Sequence, residues 1–198
     1  MNSERFSLRK KIVFSPNQIL VLGFLSLIII GTFLLHLDAA SSRDGSIKWI
    51  DAIFTATSAT CVTGLIVLDT GRDFSLFGQW VILILFQIGG LGIMTFSTMF
   101  AFLLGRKISL RQRLIIQESL NQFSIGGLVR LAKYIIFFTI FFEGIGTIFL
   151  YLNWYNLTSS HSTIFLSFFH AISAFCNAGF SLFSDSLEQF NLSIGINL

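Results

Sequence analysis

The sequence predicts an all-α membrane protein made of repeated units, each with a spanning helix, a short re-entrant helix and a second spanning helix. Of its 198 residues, 54% are hydrophobic and only 12% are charged, and the mean hydropathy is +0.78. Soluble domains carry about 25% charged residues, so this composition indicates an integral membrane protein. The repetition is indicated by a motif, FTATSATCVTG at 54–64, that recurs as FHAISAFCNAG at 169–179.

The two copies of the motif share six residues at the same spacing, which is too regular for chance. The matched pairs are Phe54/Phe169, Ala56/Ala171, Ser58/Ser173, Ala59/Ala174, Cys61/Cys176 and Gly64/Gly179. Each copy is a short apolar run that stops at a glycine-terminated tetrapeptide, where glycine permits a positive φ or a close backbone approach. Because non-helical backbone at membrane depth must be buried in protein or line a cavity, we expect a re-entrant pore loop that is present twice.

The first spanning helix is predicted from Pro16 to about Leu37, with Ser15 as its N-cap and proline at the first helical position. This length provides the ~20 residues that a bilayer requires. The apolar stretch 19–37 exceeds the roughly 7–15 apolar residues of a signal peptide, so a retained span is favoured. The preceding residues 1–14 are rich in lysine and arginine and are predicted to form a cytoplasmic tail.

A short helix is predicted within 47–60, and it can enter the membrane without crossing it. About a dozen helical residues span ~18 Å, against a hydrocarbon core of ~30 Å. The C-terminal end of such a helix carries partial negative charge and would face a bound cation. Residues 65–75 are then predicted to return to the side from which the short helix entered, and residues 77–104 to form the second span. We interpret QIGGLG at 87–92 as small residues for close helix approach and not as a nucleotide-binding loop.

The first unit thus covers 15–104, and a polar connector at 105–127 separates it from a second unit at 128–198. The connector is predicted to be an amphipathic helix at the cytoplasmic surface, with basic residues Arg106, Lys107, Arg111 and Arg113. Two interpretations stay open for it. It contacts lipid headgroups, or it docks a cytosolic partner through Arg111 and Arg113.

The second unit begins with a predicted span at 128–152, followed by the second short helix at 158–175 and the second tetrapeptide. Tyr151, Trp154 and Tyr155 are interpreted as an interfacial aromatic belt at the end of the span. Glu143 lies in the middle of this span, where an ionisable residue is a functional candidate by default. The alternative for Glu143 is a structural hydrogen bond to pore-loop backbone.

The basic residues are distributed asymmetrically over this topology. Ten lie on the side of the N-terminus and the connector, whereas three, Arg43, Lys48 and Arg72, lie on the other side. The positive-inside rule therefore predicts a multi-pass protein of the inner (plasma) membrane with a cytoplasmic N-terminus and both pore loops outside. The outer side instead collects acidic residues that would concentrate cations: Asp38, Asp44, Asp51, Asp69, Asp73, Asp185 and Glu188.

A membrane-embedded enzyme or metal carrier is the alternative from a different class. Its candidate residues are Cys61, Glu143, His161, His170 and Cys176, and they form neither an HExxH nor a CxxC spacing. His170 aligns with Thr55 of the first copy and is predicted to be a packing residue of the short helix. The cysteines occupy equivalent positions, so small buried thiols are favoured over a disulfide. We expect the protein not to be an enzyme.

A span, a short helix ending in S-A-x-C-x-x-G, and a second span together resemble the M1-P-M2 pore-loop unit of the Ktr/Trk/HKT potassium transporter superfamily. Four stretches of the first repeat and its following connector resemble membrane subunits of the KtrB and TrkH type. They are DAIFTATSATCVTGL, DTGRDFSLFGQ, QIGGLGIMTFST and RKISLRQRLIIQESLNQ. In the second repeat, SAFCNAGF is similar to a filter of the same family. The resemblance covers most of the chain.

The resemblance implies potassium uptake through a selectivity filter in which backbone carbonyls replace the hydration shell of the ion. The residues that would supply this filter are Cys61, Val62, Thr63, Gly64, Cys176, Asn177, Ala178 and Gly179. The resemblance also implies K+ as the transported ion, Na+ as a candidate coupling ion and no covalently bound cofactor. The implied partners are the lipid bilayer, a second copy in a homodimer and a cytosolic nucleotide-binding regulatory subunit of the KtrA or TrkA type. No nucleic-acid partner is expected.

The family builds its filter from four such loops. This sequence holds one complete M1-P-M2 unit and a second unit that stops before its closing helix. We therefore expect an N-terminal fragment that does not conduct alone, and a non-conducting structural or assembly role is the alternative.

Overall fold

The computed structural model describes residues 16–92, 128–155 and 160–190, and this part of the chain is helical apart from its connecting loops. Its five α-helices are α1 Pro16–His36, α2 Trp49–Thr60, α3 Leu76–Leu91, α4 Leu128–Trp154 and α5 Ser160–Phe175. Short 3-10 helices cover Asp38–Ala40 and Glu188–Phe190. The described ranges contain no strand beyond an isolated antiparallel bridge between Ser41 and Phe74. The prediction of an all-α chain is therefore confirmed.

The helices lie where the apolar runs of the sequence and the polar or glycine-containing segments between them predicted, with one difference. α1 begins at Pro16, and the 12-residue α2 is as short as its sequence predicted. α3 accounts for the first part of the second span predicted over 77–104 and ends at Leu91, and residues 93–104 lie outside the described residues. Gly92 follows with φ +78, and its N–H donates to the carbonyl of Gly89 at 3.1 Å. A glycine with positive φ is a common helix terminator because it has no Cβ to clash. The tail at 1–14 and the connector at 105–127 lie outside the described residues.

One stretch of helix within the described ranges is long and apolar enough to cross a membrane by length and composition. It is Tyr134–Trp154 in α4, with a mean hydropathy of 2.1. Its outward face is lined by large exposed apolar side chains, including Phe137, Ile140 and Ile148. Shorter apolar stretches lie in α1, α3 and α5.

Helix α3 is the central element, because it packs against α1, α2 and α5, while α4 packs against α5. The contact with α1 is close, since a Cβ at Gly31 would lie 2.7 Å from Leu85 Cδ1. On its other side, the ring of Phe86 meets Phe169 of α5 edge-on at 5.4 Å between ring centroids. It also stacks on Phe180 at 6.0 Å. α3 therefore joins the two halves of the chain into one core.

The loop between α2 and α3 is tied to the loop after α1. Ser42 N–H donates to the carbonyl of Asp73 at 2.9 Å, and Ser75 N–H donates to the carbonyl of Ala40 at 3.0 Å. The buried carboxylate of Asp73 pairs with the exposed guanidinium of Arg43. These contacts hold the segment that follows the first glycine tetrapeptide in a fixed position.

The aromatic belt predicted at the end of α4 is corrected at one residue. Trp154 is only 1% exposed, because its ring packs against His170 and Phe183 at 5.2 and 5.3 Å between centroids. Tyr155 is exposed, as an interfacial residue would be. Trp154 therefore fixes α4 onto α5 and does not face the membrane interface.

Candidate functional site

Both glycine tetrapeptides adopt the same backbone conformation. Val62 and Asn177, at equivalent positions, have φ +56 and +54, and Gly64 and Gly179 have φ +70 and +72. A positive φ is uncommon in residues other than glycine, and for a β-branched residue such as Val62 it is a genuine outlier. Its occurrence at the same place in both copies indicates that the conformation is a property of the repeat. We call residues 61–64 the first turn and residues 176–179 the second turn.

The hydrogen bonds of the two turns repeat donor for donor. In the first turn, the N–H groups of Cys61, Val62 and Thr63 donate to the carbonyls of Thr57, Ala59 and Ser58 at 2.9–3.1 Å. In the second turn, those of Cys176, Asn177 and Ala178 donate to the carbonyls of Ile172, Ala174 and Ser173 at 2.7–3.0 Å. The sequence repeat is thus also a repeat of backbone geometry.

A serine near the end of each short helix supports the turn that follows it by a hydrogen bond. Ser58 Oγ donates to the carbonyl of Leu65, and Ser173 Oγ donates to the carbonyl of Phe180, each at 2.7 Å. Both serines are buried. Sequence comparison matched these serines, yet it gave them no role. Their identity in both copies was the signal that could have found it.

Each turn directly follows the C-terminal end of a short helix. α2 ends at Thr60 and α5 ends at Phe175, so the partially negative end of each helix dipole lies at a turn. A cation bound beside either turn would be stabilised by this field, typically by 0.3–1 kcal/mol and by up to about 2 kcal/mol where partly buried.

The two turns face each other at their glycines. A Cβ placed on Gly64 would lie 2.8 Å from the carbonyl oxygen of Ala178 and 3.0 Å from Cα of Gly179. A Cβ placed on Gly179 would lie 3.1 Å from Cα of Gly64. Glycine is therefore required at both positions, for its positive φ and for the close backbone approach.

The C-terminal end of α3 backs both turns. A Cβ on Gly89 would lie 2.1 Å from the carbonyl oxygen of Thr60, and a Cβ on Gly90 would lie 2.9 Å from Sγ of Cys176. Small residues at 87–92 do permit close packing, as predicted. Their neighbours at these two glycines are the ends of the short helices and the turns.

The predicted filter residues differ in exposure. Cys61, Thr63, Asn177 and Gly179 are exposed, whereas Ala178 is fully buried. Both cysteines are free thiols, so the expectation against a disulfide agrees with the structure. The expectation of two buried thiols is wrong for Cys61, whose side chain lies on the surface of the described chain, and Cys176 is only half-buried.

Glu143 lies close to the second turn, with a partner that sequence reasoning missed. Its Oε1 accepts a hydrogen bond from Nε2 of Gln87 at 2.6 Å, and Gln87 Oε1 accepts one from Sγ of Cys176 at 3.1 Å. The expected bond from Glu143 to pore-loop backbone is thus replaced by a side-chain bond to α3. No sequence signal pointed to Gln87, because it lies on another helix far from Glu143 in the chain.

His170 is a buried packing residue of α5, as predicted. Its Nδ1–H donates to the carbonyl of Leu166 at 2.8 Å, so Nε2 is the acceptor for the N–H of Leu182 at 3.3 Å. The side chain of His161 lies outside the described residues, as do Arg111 and Arg113. Among the residues that the structure describes, no group of three or more His, Cys, Asp or Glu side chains could hold a metal ion.

Comparison with known proteins relates the chain to a family of transport proteins. The profile of the TrkH family, described as a cation transport protein, matches residues 7–198. The chain is 46% identical over 198 residues to the Ktr system potassium uptake protein B of Bacillus subtilis, covering all of this chain and 44% of that protein. It is 41% identical over 180 residues to the potassium/sodium uptake protein NtpJ of Enterococcus hirae, covering 90% of this chain and 40% of that protein.

A third relative is the Ktr system potassium uptake protein B of Vibrio alginolyticus, which is 44% identical over 173 residues. This match covers 87% of the chain and 38% of the relative. The chain therefore spans less than half the length of the curated relatives that it matches. The resemblance drawn from the motifs is confirmed, and the match is to a transport family and not to an enzyme.

Proposed function

The chain belongs to the TrkH family of cation transport proteins, and from this premise we propose that it supplies two of the loops of a potassium-uptake pore. The first turn, Cys61 to Gly64, and the second turn, Cys176 to Gly179, provide the carbonyl oxygens of the selectivity filter. K+ is the transported ion. Residues 15–104 form the first M1-P-M2 unit of the pore, and residues 128–198 form the first helix and the pore loop of the second unit.

The observation that carries this proposal is the shared conformation of the two turns. Equal φ values at equivalent residues and equal hydrogen bonds are what a ring of like loops around one axis requires, and the approach of Gly64 to Gly179 brings these two loops together. Carbonyl rings select cations by replacing their hydration shell. Two loops make half of a four-loop ring, so the pore needs further loops beyond the two described.

The orientation follows from charge, and the partners follow from the family resemblance. The excess of lysine and arginine in the N-terminal tail and in the connector places both in the cytoplasm, so that the turns open to the outside of the plasma membrane. We assign Arg111 and Arg113 to contact with a cytosolic nucleotide-binding regulator of the KtrA or TrkA type. Two relatives are named as components of a Ktr system, which supports a multi-subunit assembly. The assembled pore protein is a homodimer.

The name of the Enterococcus hirae relative mentions uptake of both potassium and sodium, which supports both as transported cations. We propose Na+ as the coupling ion. No covalently bound cofactor is required for this function.

The test is rubidium uptake and growth at low potassium in a bacterium that lacks its own potassium uptake systems. It uses the 198-residue chain and an extended chain, in which residues 1–198 are followed by the corresponding C-terminal part of the Bacillus subtilis relative. We expect the extended chain to restore uptake, and Gly64→Ser to raise the half-saturating Rb+ concentration or lower selectivity for K+ over Na+.

Gly144→Ser is the matched control, because a Cβ at Gly144 meets nothing within 4 Å. No uptake by the extended chain, when it is present in the membrane, would refute the proposal and favour a structural or assembly role. Uptake that Gly64→Ser leaves unchanged would remove this glycine from the filter. Uptake by the 198-residue chain alone would contradict the expectation that it does not conduct by itself.

A further inference from the structure

We propose that Gln87 and Glu143 are positioning residues that set the backbone of the second turn and thereby its selection of ions. The second half of this statement rests on the proposed function, whereas the first half can be tested without transport. The structural basis is a hydrogen-bonded chain of three side chains, Cys176–Gln87–Glu143, which we call the brace. It links the second turn to α3 and to α4.

The brace has a defined direction and good geometry. Cys176 Sγ–H donates to Oε1 of Gln87 at 3.1 Å, and the Gln87 amide donates through Nε2 to Oε1 of Glu143 at 2.6 Å. Gly90 lies one helical turn after Gln87 on α3, and its missing Cβ leaves the space that Cys176 occupies. Both ends of the Gln87 amide are therefore used, so its orientation is fixed.

The first turn is held differently, by its own side chains. Thr63 Oγ1 donates to Oγ of Ser58 at 3.0 Å. Ala178 stands at the equivalent position of the second turn and has no hydroxyl group to do this. Helix α1, the counterpart of α4 in the first unit, contains no acidic residue, so the first unit has no acid to form such a brace. Each turn thus has one side-chain support that the other lacks.

The burial of Glu143 makes the hydrogen bonds of the brace important for the position of the second turn. Glu143 is buried within the one described helical stretch that is long and apolar enough to cross a membrane, where an unpaired carboxyl group is strongly disfavoured. A satisfied polar network in a low dielectric fixes one arrangement of its members, and a broken network leaves unpaired groups. Rotamers locked by supporting hydrogen bonds are what hold a site in its productive geometry. The brace therefore fixes the Cys176 side chain and, through it, the start of the second turn.

The direct test is the rate at which Cys176 reacts with N-ethylmaleimide in the 198-residue chain in membranes, with Cys61→Ser removing the other thiol. Glu143→Leu and Gln87→Leu each break the brace, and we expect about a fivefold to tenfold faster reaction, the factor that corresponds to one lost hydrogen bond. Glu143→Gln keeps an acceptor oxygen for Gln87 and should restore the slow rate.

Thr147→Val is the matched control, because Thr147 Oγ1 donates within α4 to the carbonyl of Glu143 at 2.7 Å and has no part in the brace. We expect Thr147→Val to leave the rate unchanged. The proposal is overturned if both leucine variants react at the wild-type rate, or if Thr147→Val accelerates the reaction as much as they do. Gln87→Leu decides the outcome if Glu143→Leu fails to reach the membrane.

The second measurement is the ratio of Rb+ to Na+ uptake by the extended chain. We expect Glu143→Leu to lower this ratio severalfold and Glu143→Gln to retain it. A faster thiol reaction with an unchanged ratio would limit the brace to structure and overturn its role in selection. Absence of uptake in every variant, the unsubstituted extended chain included, would refute the proposed function while the thiol rates still decide whether the brace positions the turn.

Discussion

Alanine at the two turn glycines should have unequal effects, although both glycines have nearly the same φ. At φ near +70°, an alanine costs about 1–2 kcal/mol relative to its ordinary conformations. Alanine also restricts the unfolded chain more than glycine does, which stabilises the folded state by roughly 0.4–1 kcal/mol at either position. Gly64→Ala adds a contact of 2.8 Å between its Cβ and the carbonyl oxygen of Ala178. A forced contact of this kind typically costs a further 1–3 kcal/mol.

Gly179→Ala has its nearest neighbour, Cα of Gly64, at 3.1 Å and meets no carbonyl oxygen within 4 Å. We therefore expect a loss of roughly 1 kcal/mol for Gly179→Ala and of roughly 2–3 kcal/mol for Gly64→Ala. Only the part of this loss that the ion-free and ion-bound folded chains do not share affects ion binding, so these losses set upper limits on the rise in the half-saturating Rb+ concentration: about fivefold in the first variant and about 30-fold to 150-fold in the second.

The assay is Rb+ uptake against concentration in the extended chain, normalised to protein in the membrane. Gly144→Ala is the control, since this glycine lies within α4 with no neighbour for a Cβ, and it should be neutral or slightly stabilising. Equal effects of Gly64→Ala and Gly179→Ala would show that the clash with Ala178 does not decide the outcome. An unchanged Rb+ affinity in Gly64→Ala would refute the placement of the turn in the filter.

Further predictions concern the supports around the turns. Ser173→Ala removes the buried bond to the Phe180 carbonyl and should lower stability by about 1 kcal/mol, read as a lower Tm of the solubilised chain. Asp73→Ala should lower the Tm more than Arg43→Ala, because Asp73 is buried and also accepts the N–H of Asp69, whereas Arg43 is 66% exposed; equal losses would contradict this. Neutralising Arg111 and Arg113 together should weaken coupling to the cytosolic regulator and leave the Rb+/Na+ ratio unchanged, and a changed ratio would contradict their placement.

The helices were predictable because their signals are local. α1 begins at Pro16, and α2 is short because its apolar run is only about a dozen residues long. α4 is identified by the length of its apolar stretch. The early end of α3 could also have been found locally. The signal is Gly92 at the end of QIGGLG, because a glycine that adopts a positive φ is a common helix terminator.

The features that sequence reasoning missed depend on contacts between distant segments. Trp154 was assigned to the interface by its residue type and position, yet His170 and Phe183 form a pocket that buries it. The partner of Glu143 is on α3, which no spacing rule connects to α4. Cys61 was expected to be buried because of its type, whereas the turn conformation exposes it.

The equal conformation of two turns with different sequences separates the roles of backbone and side chains. CVTG and CNAG share their first and last residues, and the middle pair differs in size and polarity. Even so, Val62 and Asn177 reach the same positive φ. The conformation is therefore imposed by what the copies share: the N–H bonds to the preceding helix, the serine that reaches across the turn and the final glycine.

The two middle residues of each turn are then free to differ between the copies. The side-chain hydrogen bonds that hold the two turns also differ. Thr63 stabilises its turn from within, whereas Ala178 is buried at the contact with Gly64, and the second turn is held through Gln87. If the two turns form the proposed filter, their carbonyl geometry is what must stay constant, and different side chains can support it without changing the ion that binds. A substitution at a support should therefore act on one turn, whereas a substitution at Gly64 or Gly179 acts on both, since the two glycines are in contact.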